Sequence, residues 1–225
     1  MQQSSEIEIL DEGNVPEHLI AQAYRDLTKI HRFLGDTRAV VTAIRRDRLP
    51  VRRVLDIGCA RGGVLRHIQR RLAVDVVGVD RNPSVTPDTP FPILQADAIQ
   101  DRLPCADVAF SMHLAHHLSS VEVAALIKNV GRSCRRFIVL DLVRHPLPLA
   151  LFRLFVAPLV SPIVVADGCA SIRRAYTPRE LGQIAREALD GTGAQIRHSV
   201  APLFVRQVLD ISYFPGSGGS GAGSR

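Results

Sequence analysis

Three aspartates stand at the ends of three successive short apolar runs of β type. Asp56 closes Val54-Leu55-Asp56 and leads into Ile57-Gly58-Cys59-Ala60-Arg61-Gly62-Gly63; Asp80 closes Val76-Val77-Gly78-Val79-Asp80; Asp97 closes Ile93-Leu94-Gln95-Ala96-Asp97. A strand entering a glycine-bearing turn and then a helix is how α/β folds hold adenosine-type ligands. A carboxylate two residues before the first glycine repels a pyrophosphate and attracts a ligand carrying an ammonium group. An acid about 20 residues past that glycine suits a ribose diol, and an acceptor after the third strand suits a purine amino group. The glycine signal alone is weak, because Ala60 stands at the usual middle glycine. The three acids together are far more specific: they would face one crevice at the carboxyl edge of an open sheet.

Histidines form a second group. His113, His116 and His117 follow the apolar run 106–112. Imidazole titrates near neutral pH, which suits a base acting on a phenol or enol; the structural alternative is a histidine at a helix start that bonds the backbone. Adjacent His116 and His117 point differently, so at most one is expected to meet a substrate. Asp141 and His145 follow on the same sheet edge, with capping and solvation as their structural alternatives. Arg173, Arg174 and Tyr176 could bind an acidic or phenolic group or lie on a solvated face. No carboxylate spacing beside the histidines fits metal ligation. Cys59, Cys105, Cys134 and Cys169 lack paired spacing, so neither a metal site nor a disulfide framework is expected.

The elements that must position these residues read as an alternation. Strands are predicted over 52–57, 74–80, 91–96, 106–112 and 135–143, with helices at about 62–72 and 120–132. That pattern argues for a parallel sheet with helices on both faces. Residues 1–14 are polar and expected to be mobile. Two helical patterns run from Pro16 to about Leu49, broken at Gly35, with Asp36 or Thr37 as cap of the second. Residues 146–166 are apolar but carry Pro146, Pro148, Pro158, Pro162 and a central Arg153. A broken helical insertion fits better than a membrane span, since a central arginine costs about 2.5–3.5 kcal/mol on insertion scales. Thr177-Pro178-Arg179-Glu180 opens a helix with cap, proline and capping-box acid in place. Two final β runs, 194–200 and 203–212, form a hairpin around Ala201-Pro202. The Gly/Ser-rich tail 215–225 has linker composition.

The chain has 225 residues, 46% of them hydrophobic, and a net charge of +6 with no tryptophan. That is enough for one α/β domain with additions. The arginines are scattered without interleaved aromatics, which argues against nucleic acid as a partner. No secretory signal is visible at the start, and a reducing cytoplasmic location is expected, with peripheral contact at a membrane surface as an option.

Val54-Leu55-Asp56-Ile57-Gly58-Cys59-Ala60-Arg61-Gly62, Gly78-Val79-Asp80-Arg81-Asn82-Pro83, Gln95-Ala96-Asp97-Ala98 and the run from Asp107 to Leu118 resemble successive motifs of class I S-adenosylmethionine-dependent methyltransferases. The likeness covers residues 52–143. Segments 27–35 and 167–181 more loosely resemble bacterial methyltransferases of polyketide and other secondary-metabolite pathways. The resemblance implies a Rossmann-like, doubly wound, seven-stranded and mostly parallel sheet with an antiparallel last strand, N-terminal helices and a helical lid insertion. It divides the chain into an N-terminal helical cap (1–50), a methyltransferase domain (51–214, lid about 146–176) and a flexible tail. It implies S-adenosylmethionine as cofactor, with Asp56 and Gly58 near its methionine part, Asp80 near the ribose and Asp97 near the adenine. Cys59, Ala60, Gly62, Arg81, Ala98 and Ser111 complete the implied cofactor set. Tyr24, Phe33, His145, Phe152, Phe155, Arg173 and Tyr176 are the expected substrate contacts under the lid, and His113, His116, His117 and Asp141 the catalytic candidates. The favoured activity is O-methylation of a small hydrophobic phenol, enol or carboxylate. The alternatives are C-methylation of a quinone-like or isoprenoid acceptor, methylation of RNA or protein, and a non-catalytic binding module.

Overall fold

The computed structural model describes residues 1–4, 6, 8–11, 15–82 and 89–213, without the side chains of Asp11, Tyr24, Thr28 and Arg32. The tail 215–225 lies outside the described residues. Helices α1 (Glu17–Leu34) and α2 (Asp36–Arg45) precede β1 (Arg53–Ile57), α3 (Gly63–Leu72), β2 (Asp75–Asp80) and β3 (Ile93–Gln95). Then come β4 (Ala106–Met112), α4 (Ser120–Val130), β5 (Cys134–Asp141), α5 (Pro146–Leu151), α6 (Pro162–Arg174) and α7 (Pro178–Ala188). Strands β6 (Gln195–Val200) and β7 (Gln207–Ser212) end the fold.

The seven strands lie in the order β3-β2-β1-β4-β5-β7-β6. Strands β1 to β5 pair in parallel, and β7 runs antiparallel between β5 and β6. The Rossmann-like sheet with its reversed last strand is therefore as expected. Chain order reverses between β1 and β4, which opens a crevice at their carboxyl ends. Strand alternation divides the core into two layers. Val54, Val108, Phe110, Ile138 and Leu140 pack with Val40, Ile44, Leu65 and Ile68 of α2 and α3. Leu55, Ile57, Ala109, Phe137 and Val139 pack with Leu126, Ile127 and Leu181 of α4 and α7. Side chains of period two must face opposite ways, and each large one buried contributes roughly 1.5–3 kcal/mol.

Local chemistry accounts for the helix ends. Gly35, at φ 75°, turns the chain from α1 into α2. Both Ser119–Glu122 and Thr177–Glu180 form capping boxes, the second as predicted. The insertion after β5 is broken: α5, a π-helical turn at Phe152–Val156, a 3-10 turn at Ala157–Leu159, and α6. Pro158 and Pro162 cannot donate to a continuous helical ladder.

Four local expectations need correction. Neither Asp36 nor Thr37 caps α2; the cap position is Gly35, and the Asp36 carboxylate is buried in a charge cluster instead. β3 is shorter than 91–96, because Phe91 turns inward against Gly62. β7 starts at Gln207, after a turn in which Leu203 (φ 60°) and Phe204 (φ 57°) are left-handed. The described part of residues 1–14 is docked: the Ile9 and Leu10 amides donate to Asp167 at 2.7 and 3.2 Å, and the Ser4 amide to the Arg173 carbonyl at 3.3 Å.

Gly78 in β2 has a steric reason to be glycine. A Cβ there would lie 2.5 Å from Cys59 Sγ, so the thiol fills the space above it. Gly78→Ala is expected to lower stability by about 1–3 kcal/mol through overpacking. In a Cys59→Ala background the loss should be smaller, as read from urea unfolding midpoints of the four proteins.

Candidate active site

Parallel register brings the predicted cofactor residues to one edge. Ile57 pairs with Ser111, Asp56 with Gly78, and Asp80 with Gln95. After β1, Gly58 (φ 76°), Ala60 (φ 45°) and Gly62 (φ 67°) are left-handed. A Cβ on Gly62 would also meet the Phe91 ring at 2.8 Å. Ala60 adopts its conformation with its amide donating to Asp80 Oδ2 at 2.8 Å, and Asp80 Oδ1 accepts from the Asn82 amide at 2.9 Å. Thus Asp80 ties the glycine turn to the end of β2. Asp97 accepts the Ile99 amide at 2.9 Å and faces Arg81 at 3.3 Å. Half-buried Ala98 accepts from Asn129 through its carbonyl. Cys59 departs from the rest: its buried thiol points at Gly78, and burial with the Asp56 and Asp80 charges pushes its pKa far up.

Two buried groups at this edge fit a bound cation and a polar ligand. Burial, and then the charge of Asp80, pushes the Asp56 carboxyl well above the usual carboxylate range. An ammonium group beside it would restore the ionised form. Among the described residues the buried Ser111 hydroxyl has no hydrogen-bond partner, an arrangement that a ligand's polar atom relieves.

Next to this edge lies a cavity of about 550 Å³. Its walls include Leu27, Ile30 and Leu34 of α1, Leu142 and Val143 after β5, Phe152 and Val156 of the insertion, and Val164 and Ile172 of α6. Asp26 of α1 accepts the buried Ser161 amide at 3.0 Å, tying the N-terminal helix to the insertion across the cavity. His113, His116 and His117 line the wall nearest β4.

Each of two histidines is held by a carboxylate. His116, in a 3-10 turn after β4, is fully buried; its Nδ1 lies 2.6 Å from Asp141 Oδ1 and its amide donates to Asp141 Oδ2 at 2.9 Å. Its Nε2 faces Glu8 at 3.6 Å. Burial disfavours the imidazolium, but Asp141 and then Glu8 outweigh it and hold the His116 pKa at about 9. Burial likewise raises Glu8, yet His116, His117 and Ser171 bring it down to about 2. His113, left-handed at φ 57°, sets Nε2 3.1 Å from Asp36 Oδ2. His31 reaches the same oxygen at 3.1 Å, its ring stacked on that of His113, and Arg206 donates to Asp36 Oδ1 at 2.5 Å. Burial works against the Asp36 charge, but these partners keep its pKa far below normal. Each triad, Glu8–His116–His117 and His31–Asp36–His113, brings ligand-type atoms within 4.8 Å of one another. An arginine already shares each carboxylate, Arg174 on Glu8 and Arg206 on Asp36, and places a cation where a metal ion would compete.

The expected substrate residues divide. Phe152 and Phe155 line the cavity, and Phe33 stands at its mouth. Tyr24 lies on α1 with its side chain outside the described residues. His145 caps α5 by accepting the Leu147 amide and stacks on Phe204 at 4.3 Å. Tyr176 is core: it is buried and donates to the Leu118 carbonyl at 2.6 Å. Arg173 faces Glu6 at 3.3 Å on the outer side of α6. The sequence reading missed Glu8, His31, Ser171 and Arg206, and it assigned Asp36 to a cap. Only His31 and Asp36 carried a usable signal, a histidine and an acid flanking a helix break.

A switch-point crevice lined by acids, opening beside an apolar cavity with oriented histidines, is the arrangement of an α/β enzyme that uses a nucleoside-type cofactor. A family model described as a methyltransferase domain matches residues 20–146. The chain belongs to that family and is an S-adenosylmethionine-dependent methyltransferase. The fold is shared with the plantazolicin methyltransferase BpumL, solved with a monoazolic desmethylPZN analogue and SAH (13% identity, 87% of this chain and 89% of that one, TM-score 0.68). It is also shared with the methyltransferase domain of bacterial CtHen1-C (16% identity, 79% and 96%, TM-score 0.61) and with apo SibL (18% identity, 84% and 57%, TM-score 0.61). No curated protein matches the sequence.

The coupled charges set a pH dependence. His116 has a raised folded pKa, so its contribution is full below about 6.5 and is lost as pH climbs through about 9. Glu8 has a lowered one, so its contribution is present above about 4.5 and is lost as pH falls toward about 2. Urea midpoints measured from pH 6 to 10 should decline in the wild type and decline less in His116→Gln. Asp141→Ala should cost about 3–5 kcal/mol at pH 7, by leaving His116 buried without its main partner.

Proposed function

We propose that the protein methylates a small apolar acceptor, most readily at an oxygen of a phenol, enol or carboxylate. The observation that carries this reading is the adjacency of an acid-lined crevice to a largely apolar cavity, with His113 and His116 on the wall nearest the crevice. When bound, S-adenosylmethionine supplies a methyl group already activated on a sulfonium. The chain's own residues hold, orient and desolvate. Asp56 faces the ammonium, with Ser111 as a further polar contact. Asp80 takes the ribose hydroxyls, and Asp97 with the Ala98 backbone takes the adenine edge. Gly58, Ala60 and Gly62 let the backbone come close, and Arg81 supports Asp97. Cys59 acts through packing under the turn.

At the reacting end the two histidines have different tasks. His116, whose pKa Asp141 and Glu8 raise against the effect of burial, is an electrostatic group held by Asp141. His113, directly after β4 and oriented by Asp36, is the residue placed to take a proton where the acceptor needs one removed. The insertion and α1 enclose the cavity and exclude water. His117 sits at the rim beside Arg174.

A small acceptor is favoured over RNA by the placement of charge. Arg46, Arg48, Arg132, Arg135, Arg136 and Arg197 gather around a second cavity, at the amino end of β5 and so at the opposite edge from Asp56 and Asp80. RNA retention at moderate salt together with methylation of RNA would reverse this choice. Carbon methylation uses the same site and is the alternative outcome of labelled-methyl transfer followed by mass spectrometry.

Peripheral membrane contact has its own support. Phe33, Leu154, Phe155 and Leu159 are 85%, 66%, 61% and 77% exposed, and Phe33 and Phe155 border the cavity. Apolar residues collected at a pocket mouth beside Arg153 suit acceptors taken from a membrane surface inside the cell. Among the described residues no helix is long and apolar enough to cross a membrane.

Two measurements test the assignment. Asp80→Ala should weaken SAH binding in calorimetry by about tenfold or more, the cost of a charged acceptor taken from a diol; unchanged affinity refutes the placement. His113→Asn should lower kcat by about 10²–10⁴ on an acceptor hydroxyl while SAH affinity is kept. Equal turnover in His113→Asn and wild type would remove it as the base.

A further inference from the structure

The acceptor cavity is apolar except for two polar clusters on its wall, one around Asp36 of α2 and one around Glu8. Glu8 reaches in from the N-terminal segment. Its Oε1 accepts from Ser171 Oγ at 2.6 Å and from Arg174 Nη2 at 2.8 Å, with His116 Nε2 at 3.6 Å and His117 Nε2 at 3.8 Å. The surrounding groups belong to the body of the fold: Ser171 and Arg174 are on α6, and His116 and His117 are in the turn after β4. Ser171, Arg174 and His116 have partners besides Glu8: the Ser171 hydroxyl, with its one proton, has the Asp167 carbonyl at 2.8 Å as an alternative acceptor, Arg174 meets His117 at 2.7 Å, and His116 is clamped by Asp141.

Glu8, by contrast, arrives on an N-terminal segment whose described residues are held from outside the core: the Ile9 and Leu10 amides on Asp167, the Gln3 amide group on the Arg174 carbonyl at 2.8 Å, the Ser4 amide on the Arg173 carbonyl, the Glu6 carbonyl on Arg174, and the Glu6 carboxylate on Arg173. Such a contact is exchangeable for an equivalent ligand group at modest cost. A corner with a guanidinium, an imidazolium and a hydroxyl is costly to bury without an anion.

We infer that this corner is a carboxylate subsite of the acceptor pocket, and that Glu8 is its internal occupant, displaced when an acceptor carrying a carboxylate enters. The inference rests on the reading that the cavity receives the acceptor, and it narrows that acceptor to a lipophilic carboxylic acid. The apolar body of the acid would lie against Leu142, Phe152 and Val164. A carboxylate is the fitting anion: the arginine and the hydroxyl, beside an imidazole ring whose charge Asp141 already balances, match a single negative charge, and the group already seated there is a carboxylate. A phosphate would bring a second negative charge with no further cation to meet it.

The test uses the full chain and two probe acids, biphenyl-4-carboxylate and dodecanoate, each against its neutral amide, in calorimetry with SAH present. In Glu8→Ala the preference for acid over amide should rise about tenfold over wild type, the scale of one charge-assisted contact made available. Adding Ser171→Ala or Arg174→Gln should remove that gain; whichever variant keeps its wild-type unfolding midpoint is scored. An unchanged acid-over-amide preference in Glu8→Ala, or no binding of either acid to it, overturns the subsite. SAH affinity measured on the same samples separates the two readings. Wild-type protein that does not bind SAH sinks the methyltransferase site, whereas SAH binding without the acid preference sinks the carboxylate subsite alone.

Discussion

Parallel pairing of β1 with β2 on one side and β4 on the other is the constraint from which the site follows. Parallel strands end at the same edge, so residues distant in sequence arrive together: Asp56, Asp80 and Ser111. The chain cannot cover that edge at the switch point, because its connections leave on opposite faces. The glycine turn after β1 is then drawn back onto β2 by Asp80 through the Ala60 amide. This one bond lets an alanine hold a left-handed conformation in which glycine is the easier residue. It also keeps the acid poised at the crevice.

Behind this edge, buried charge is arranged so that each group has a partner. Asp141 binds the turn after β4 twice, through the His116 ring and the His116 amide, and also accepts the Leu142 amide of its own strand end. Asp36 gathers His31, His113 and Arg206 from three separate parts of the chain. Arg144, also buried, pairs with Glu180 and donates to the Ala175 carbonyl, anchoring the start of α7 to the chain leaving β5. Clusters of this kind add little net stability over an apolar core, since desolvation offsets attraction. Their effect is geometric. They fix the orientation of rings and the position of the insertion, and so the shape of the cavity.

Charge is also segregated between the two ends of the sheet. The carboxyl edge carries acids and histidines with arginines paired to them, Arg81 on Asp97, Arg174 on Glu8 and Arg206 on Asp36, while the amino edge carries a cluster of arginines partly neutralised by Asp47 and Asp210. The net charge of +6 therefore says little about the ligand of the active edge. A whole-chain charge averages over faces that meet different partners.

How far the sequence could be read depended on whether the needed information was local. Strand positions, the two-helix N-terminus, the capped α7 and the broken insertion were legible, because apolar period, proline and capping residues act within a few positions. The gathering of Asp56, Asp80 and the glycine turn at one edge was legible too: strand-end acids and a glycine turn are set by short motifs, and parallel order carries them to one side. The acceptor end was not. His145 and Tyr176 looked like substrate contacts, but one caps a helix and stacks on Phe204, and the other is buried against the Leu118 carbonyl. Glu8 looked like part of a loose polar terminus, yet it lies beside His116, more than a hundred positions away. The sequence by itself determined the sheet, its order of elements and the acids along its edge. Only tertiary structure decided which carboxylate meets which histidine, because those pairings span the whole chain and depend on side chains competing for the same buried partners.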